Sequence, residues 1–203
     1  RRVLEMKPAF RMPVRPRARG FTLVEVLVVF TLIAVMLALA APGFVNFQRN
    51  AQLSSTANAF IASLSAARAE AMKRQLSTYV VPTADDWSKG WMVFVDVNND
   101  LTYTDGTDLL VSRQAAMPGN VTVTISAAAT AFNDAESGGA LAGTRYAMFN
   151  GSGFMARPGV AFMTTSGVLD LTNGIESRRI IANPAGRLRV CKPTEAGCTG
   201  AAL

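Results

Sequence analysis

Histidine is missing from this chain altogether, and cysteine occurs only twice. The first absence removes the commonest general base and metal ligand at neutral pH, so Ser–His chemistry and histidine-bound zinc are excluded at once. Two thiols, Cys191 and Cys198, make a poor metal site alone, and their spacing is too wide for a CxxC redox pair. No glycine-rich phosphate loop follows a strand-like run. Ser152 lies in Gly-Ser-Gly, yet no histidine or lysine stands by to activate it, and those glycines read as a turn. The expectation is a non-enzyme: no catalytic residues, no metal, no cofactor.

Charge of one sign is also scarce once the first twenty residues are set aside. The chain carries 20 Lys and Arg against 14 Asp and Glu, a formal +6. Arg1, Arg2, Lys7, Arg11, Arg15, Arg17 and Arg19, with Glu5 as the lone acid, place that whole excess in residues 1–20. From Phe21 onward acids and bases balance, 13 of each. Bulk basicity is therefore a property of the N-terminal segment, where positive charge beside an apolar run keeps that end cytoplasmic.

What the chain does have is one long apolar stretch. Between Phe21 and Ala41 only Thr22, Glu25 and Thr31 are not plainly apolar. As a helix this run is roughly 31 Å long, about the thickness of a bilayer core. Glu25 stands out, because an intramembrane carboxylate is expensive and usually has a partner or a task. An ordinary signal anchor leaves that glutamate an accident. A secretory peptide cut at Leu37-Ala38-Leu39-Ala40-Ala41 leaves both Gly20 and Glu25 unexplained.

The string Gly20-Phe21-Thr22-Leu23-Val24-Glu25 resembles the processing site of type IV prepilins and type II secretion pseudopilins. The resemblance implies cleavage after Gly20 by prepilin peptidase and methylation of Phe21. It also implies that Glu25 pairs with the free amine of a neighbouring subunit during assembly. Physically this is coherent, since a buried carboxylate favours docking beside a positive terminus.

Pro42 and Gly43 follow, where a kink or break is expected. Beyond them Leu53, Ala57, Phe60, Ile61, Leu64, Ala67, Ala71 and Met72 recur at helical spacing, the mark of an amphipathic helix. The segment Ser65–Arg74, with its Ala-Arg-x-Glu-Ala core, is similar to the helix end of the GspH/FimT group of minor pilins and pseudopilins. After Gln75 short apolar runs alternate with turn residues: 78–81, 90–96, 109–112, 121–125, 145–149, 160–163, 178–181 and 187–190. Trp87, Gly90 and Trp91 with the following strand resemble the W-x-x-G-W-x-V-F-x-D-x-N signature of the same group. Residues 126–143 read as a long small-residue loop.

The fold expected is α+β and type IV pilin-like: a long kinked N-terminal helix packed on an antiparallel β-sheet domain. Residues 1–20 form a cleaved leader, 21–75 the helix with 21–41 in the membrane, and 76–203 the β-rich domain. The chain is placed in the bacterial inner membrane with its C-terminal domain periplasmic, and then in a filament at the cell surface. In that oxidising setting Cys191 and Cys198 read as a disulfide closing a small loop.

Two charged stretches remain. Residues 85–108 hold six acids and only Lys89. Asp96-Val97-Asn98-Asn99-Asp100 opens like a calcium loop, but Leu101 replaces the turn glycine and Thr107 the bidentate glutamate, so a tight polar turn is the better reading. Residues 178–192 hold five bases and no acid: Arg178, Arg179, Arg187, Arg189 and Lys192. On a strand Arg187 and Arg189 share a face, with Leu188 opposite.

Gly186-Arg187-Leu188-Arg189 also resembles the Gly-Arg-x-Arg motif linked with DNA binding in FimT-type minor pilins of naturally competent bacteria. That implies non-specific contact with double-stranded DNA for uptake, with Arg178, Arg179 and Lys192 as supporting charges. The partners implied are other pilins and minor pilins, prepilin peptidase, the inner membrane and DNA. The alternatives are a structural minor pilin that primes or caps assembly and a GspH-like pseudopilin of type II secretion. In either, the arginines serve solubility or face a neighbour's acidic turn.

Overall fold

The computed structural model describes residues 20–125, 132, 145–160 and 163–199; the leader up to residue 19 and nearly all of the 126–143 loop lie outside them. The chain divides into two compact units, residues 1–44 and 45–203. One helix, α1 (Leu23–Arg74), contributes to both. It does not end at Pro42, where a kink or break is expected. The helix runs on through Pro42 and Gly43. A proline deletes one backbone donor, and the turns on either side keep theirs.

In the first unit, Thr22 starts the helix. Its Oγ1 accepts from the Glu25 amide at 3.2 Å and its carbonyl from the Val26 amide at 3.2 Å, which makes Thr22 the N-cap. Glu25 at the third helical position completes the Thr-x-x-Glu spacing of a capping box and puts a negative charge at the positive end of the helix dipole. Leu23–Ala40 has a mean hydropathy of 2.8 and is long and apolar enough to cross a membrane. Its apolar side chains are exposed all round, Phe30 and Leu39 among them.

In the second unit the helix buries one stripe: Leu53, Ala57, Phe60, Leu64, Ala67 and Ala71, spaced four and three apart. Met72, expected in that stripe, is 41% exposed, so it belongs to the stripe's edge. The sheet is not one but two. A five-stranded antiparallel sheet runs β3-β2-β1-β5-β6, built from β1 (Thr78–Thr83), β2 (Asp86–Val95), β3 (Leu109–Gln114), β5 (Ala147–Phe149) and β6 (Met155–Ala156). A four-stranded sheet runs β4-β7-β8-β9, from β4 (Thr122–Ile125), β7 (Gly167–Thr172), β8 (Ser177–Ala182) and β9 (Leu188–Cys191).

Both sheets contribute to one core with the helix stripe. Phe60 meets Trp87 and Trp91 edge to face, at centroid distances of 5.1 and 5.0 Å, and Phe132 at 5.9 Å. Removing such a ring leaves a cavity costing about 3–5 kcal/mol. A second cluster, with Tyr79, Phe94, Tyr146 and Met148, lies apart from that core, and Leu101 and Tyr103 of the β2–β3 connection pack on it.

Sequence patterning missed β7, whose Gly-Val-Leu-Asp-Leu-Thr alternates Leu169 and Leu171 inward against Asp170. It also placed a strand at 160–163, of which 161 and 162 lie outside the described residues; Val160 makes an isolated bridge with Arg157.

The acidic β2–β3 connection is a capped turn. Asp96 accepts the amides of Asp100 and Leu101 through its two oxygens, and Asp108 accepts those of Val97 and Thr104. Both carboxylates are buried, and burial raises the Asp96 carboxyl above its ordinary value despite these bonds. The oxygens that would ligate a cation are pointed at backbone donors.

Candidate functional site

The basic segment occupies the end of the four-stranded sheet. Antiparallel register sets which charges share a face, because directly opposed residues point the same way. Asp170 pairs with Arg179 and Arg179 with Cys191; Val168 pairs with Ile181 and Ile181 with Arg189. Arg179 and Arg189 therefore share the face away from the core. Leu188 and Val190, opposite Ala182 and Ile180, pack toward the core. Arg178 lies opposite Leu171 and faces inward, its Nη2 3.5 Å from Ser54 Oγ on the helix. The two neighbouring arginines thus belong to different faces.

Most of these charges are engaged. Arg179 grips Asp170 with Nε and Nη2 at 2.8 and 2.7 Å, a bidentate pair that raises the guanidinium above its ordinary value. Its Nη1 donates to the Cys198 carbonyl at 3.1 Å. Arg178 and Lys192 share Glu176, at 3.3 and 3.4 Å. The Arg178 hydrogen bond, then the Lys192 charge, hold the Glu176 carboxyl below the usual range. Arg189 donates from Nη1 to the Gly197 carbonyl at 3.2 Å and has no carboxylate partner among the described residues. Arg187 is exposed, and its guanidinium makes no hydrogen bond to the described residues.

A disulfide joins Cys191 and Cys198, whose Cα atoms are 5.9 Å apart. With Ile181 they form a small buried cluster on the outer face. The loop they close lies where Arg179 and Arg189 bond its last carbonyls.

The turn before β9 carries a residue the sequence did not flag for this site. Asn183 bonds Arg187 twice: its amide donates to the Arg187 carbonyl at 2.9 Å, and its Oδ1 accepts the Arg187 amide at 2.8 Å. Gly186, at φ 75°, donates to the Asn183 carbonyl. Beneath the turn lies Arg68 of the helix, donating from Nε to the Gly153 carbonyl at 2.9 Å and from Nη2 to that of Ala185 at 3.2 Å. A Cβ on Gly186 would collide with the Gly153 oxygen and come within 2.7 Å of Arg68 Nε. Only glycine fits there. The Ala-Arg-x-Glu-Ala and Gly-Arg-x-Arg segments therefore meet, and their spacing in sequence carries no sign of it.

At the other end of the chain, Gly20 and Phe21 are exposed and non-helical, just before the Thr22 cap, with Glu25 one turn in.

The family described as type II transport protein GspH matches residues 56–186, well over half of the chain. The chain belongs to the GspH family. A second match, to the prokaryotic N-terminal methylation motif, covers residues 15–41 and so includes Gly20, Phe21 and Glu25. The fold is that of the type IV minor pilin FimU of Pseudomonas aeruginosa, with a TM-score of 0.50 at 16% identity over 74% of this chain and 96% of that one. The minor pseudopilin EpsH from the type 2 secretion system of Vibrio cholerae is also similar, at a TM-score of 0.46 and 15% identity over 71% of this chain and 99% of that one. No curated protein matches the chain.

This GspH-family protein thus carries the N-terminal methylation motif at the head of a helix that is long and apolar enough to cross a membrane. Membership implies assembly with other pilins and processing by prepilin peptidase, and the family is one of structural subunits rather than enzymes. The GspH match takes in Arg68 and Gly186 and stops there. Arg187, Arg189 and the disulfide lie beyond it.

Proposed function

We propose that this protein is a minor pilin whose domain contacts double-stranded DNA through Arg187 and Arg189, and so serves DNA uptake in natural transformation. In this reading prepilin peptidase cuts after Gly20, Phe21 becomes the methylated terminus and Glu25 pairs with a neighbour's amine. The C-terminal domain lies outside the cytoplasm. The observation that carries the DNA reading is the distribution of carboxylates. Among the described residues, every cation in 178–192 except Arg187 and Arg189 has an acidic partner.

An arginine without a carboxylate is available to a phosphate, and its planar fork suits phosphate oxygens. Two such contacts give weak, sequence-independent binding, with log K falling against log salt at a slope of about −1.8 per subunit. Copies along a filament raise the effective affinity. Titration of the full chain in detergent against a duplex, at two salt concentrations, tests this beside an Arg187→Ala/Arg189→Ala variant. Salt-sensitive binding that the double variant loses supports the proposal. Equal binding by both proteins removes the arginines from the site.

The family match favours a second reading, a pseudopilin of type II secretion or a structural subunit that primes assembly. Asp100 and Asp105 are exposed, so a neighbour's acidic turn could receive the same arginines. Cross-linking of Arg187→Cys to Asp105→Cys within assembled filaments would mark that contact.

A further inference from the structure

Phe154 is exposed at 44%, and among the described residues from Thr78 onward no other aromatic side chain is exposed. A lone exposed Phe needs no explanation by itself. This one is held in place and follows directly on Gly153, which meets the arginine turn at Gly186. Its amide donates to Asn150 Oδ1 at 3.0 Å and its carbonyl accepts the Asn150 amide at 3.0 Å. Gly153, just before it, donates to the Asn150 carbonyl, and a Cβ there would strike Met72 Sδ at 2.7 Å. The Asn150–Phe154 loop is therefore closed on itself and pressed against the end of the helix.

That loop is also bound to the arginine turn. Arg68 bridges the Gly153 and Ala185 carbonyls, the Met155 amide donates to the Pro184 carbonyl at 2.9 Å, and Gly153 is in contact with Gly186. Phe154 follows Gly153 and Arg187 follows Gly186. An exposed aromatic residue and an exposed arginine with no carboxylate partner among the described residues thus each follow one of two glycines whose backbones are in close contact. A cation for phosphate beside an aromatic face for a base is the combination that recognises unpaired nucleotides.

We infer that Phe154 is a base-stacking residue, and that the site takes DNA with unpaired bases, a single strand or a frayed end, in addition to duplex backbone. The inference rests on the phosphate contact proposed for Arg187 and Arg189. Stacking needs a base released from its helix, so the ring adds nothing on an intact duplex and nothing on a strand without bases.

The test uses the full chain in detergent and three ligands of equal length: oligothymidine, an abasic strand and a blunt duplex. The Phe154→Ala variant should lose roughly tenfold in affinity for oligothymidine, and keep its affinity for the other two. Phe154→Trp should restore the loss. An equal loss on all three ligands overturns the inference, since the ring would then only shape the turn. Unchanged oligothymidine affinity overturns it as well.

The Arg187→Ala/Arg189→Ala variant separates the two ideas. If it binds like wild type while Phe154→Ala weakens oligothymidine alone, the arginine reading falls and the stacking residue stands. If wild type binds none of the ligands, both fall.

Discussion

Arg68 Nε lies 2.7 Å from where a side chain on Gly186 would begin, so the helix and the arginine turn are fitted to each other through a missing Cβ. Gly186→Ala meets both a left-handed backbone, φ 75°, and this collision. It should destabilise the domain by about 1–3 kcal/mol. Arg68→Ala leaves the Gly153 and Ala185 carbonyls without their donor and should cost a similar amount, about 1–3 kcal/mol. Urea unfolding followed by the near-ultraviolet signal of Trp87 and Trp91 reads both. Wild-type stability in Gly186→Ala would show that the turn relaxes freely.

Glu176 is the acid that restrains Arg178 and Lys192, and its carboxyl is held below the ordinary 4.5 by those two cations. A lowered carboxylate stabilises the fold above its ordinary value, and that contribution disappears as the pH falls through the lowered one. Glu176→Gln should therefore be less stable than wild type at neutral pH and equal to it in strong acid. The same substitution frees two cations. Under the proposed function it should tighten duplex binding and steepen the salt slope by up to about 1.8, about 0.9 for each freed cation that reaches a phosphate. A salt slope identical to wild type would place Arg178 and Lys192 outside the contact.

The disulfide closes a short loop, Cys191 to Cys198. Loop-closure entropy for a ring of this size gives about 2–3 kcal/mol. Cys191→Ser/Cys198→Ser should lose that stability, matched by wild type in reductant. The loop also supplies the carbonyl acceptors of Arg179 and Arg189, so hydrogen exchange should quicken along β9. Protection unchanged on reduction would mean that the loop holds without its covalent tie.

Asp108 accepts the Val97 and Thr104 amides at 2.9 and 2.7 Å while itself buried. Asp108→Ala strands both donors and should cost about 2–4 kcal/mol. Calcium titration of wild type and variant by calorimetry checks the assignment of this turn. Heat of binding in wild type alone would make it a cation site.

Local chemistry carried much of this protein. The apolar run, the Gly-Phe-Thr-Leu-Val-Glu string, the four-and-three stripe from Leu53 to Ala71 and the Trp-rich strand are all written in consecutive residues. The fold class followed from them because helix and strand periods are local properties. β7 escaped because Asp170 interrupts its apolar run, and the partner that explains Asp170 is Arg179 on the next strand. The division into two sheets escaped for a related reason. Strand pairing depends on which edges meet, and no short window records that.

The sequence by itself determined the long apolar run, the N-terminal methylation motif, the helix and the presence of a basic C-terminal segment. Only the tertiary structure decided which of those bases are available. Register put Arg178 and Arg179 on opposite faces, and the carboxylates of Glu176 and Asp170 took up three of the five charges. It also brought Phe154 to the arginine turn, although no aromatic neighbours those arginines along the chain. Charge, hydropathy and period are summed along a chain, whereas partnership is a matter of distance, and distance is fixed only when the chain has folded.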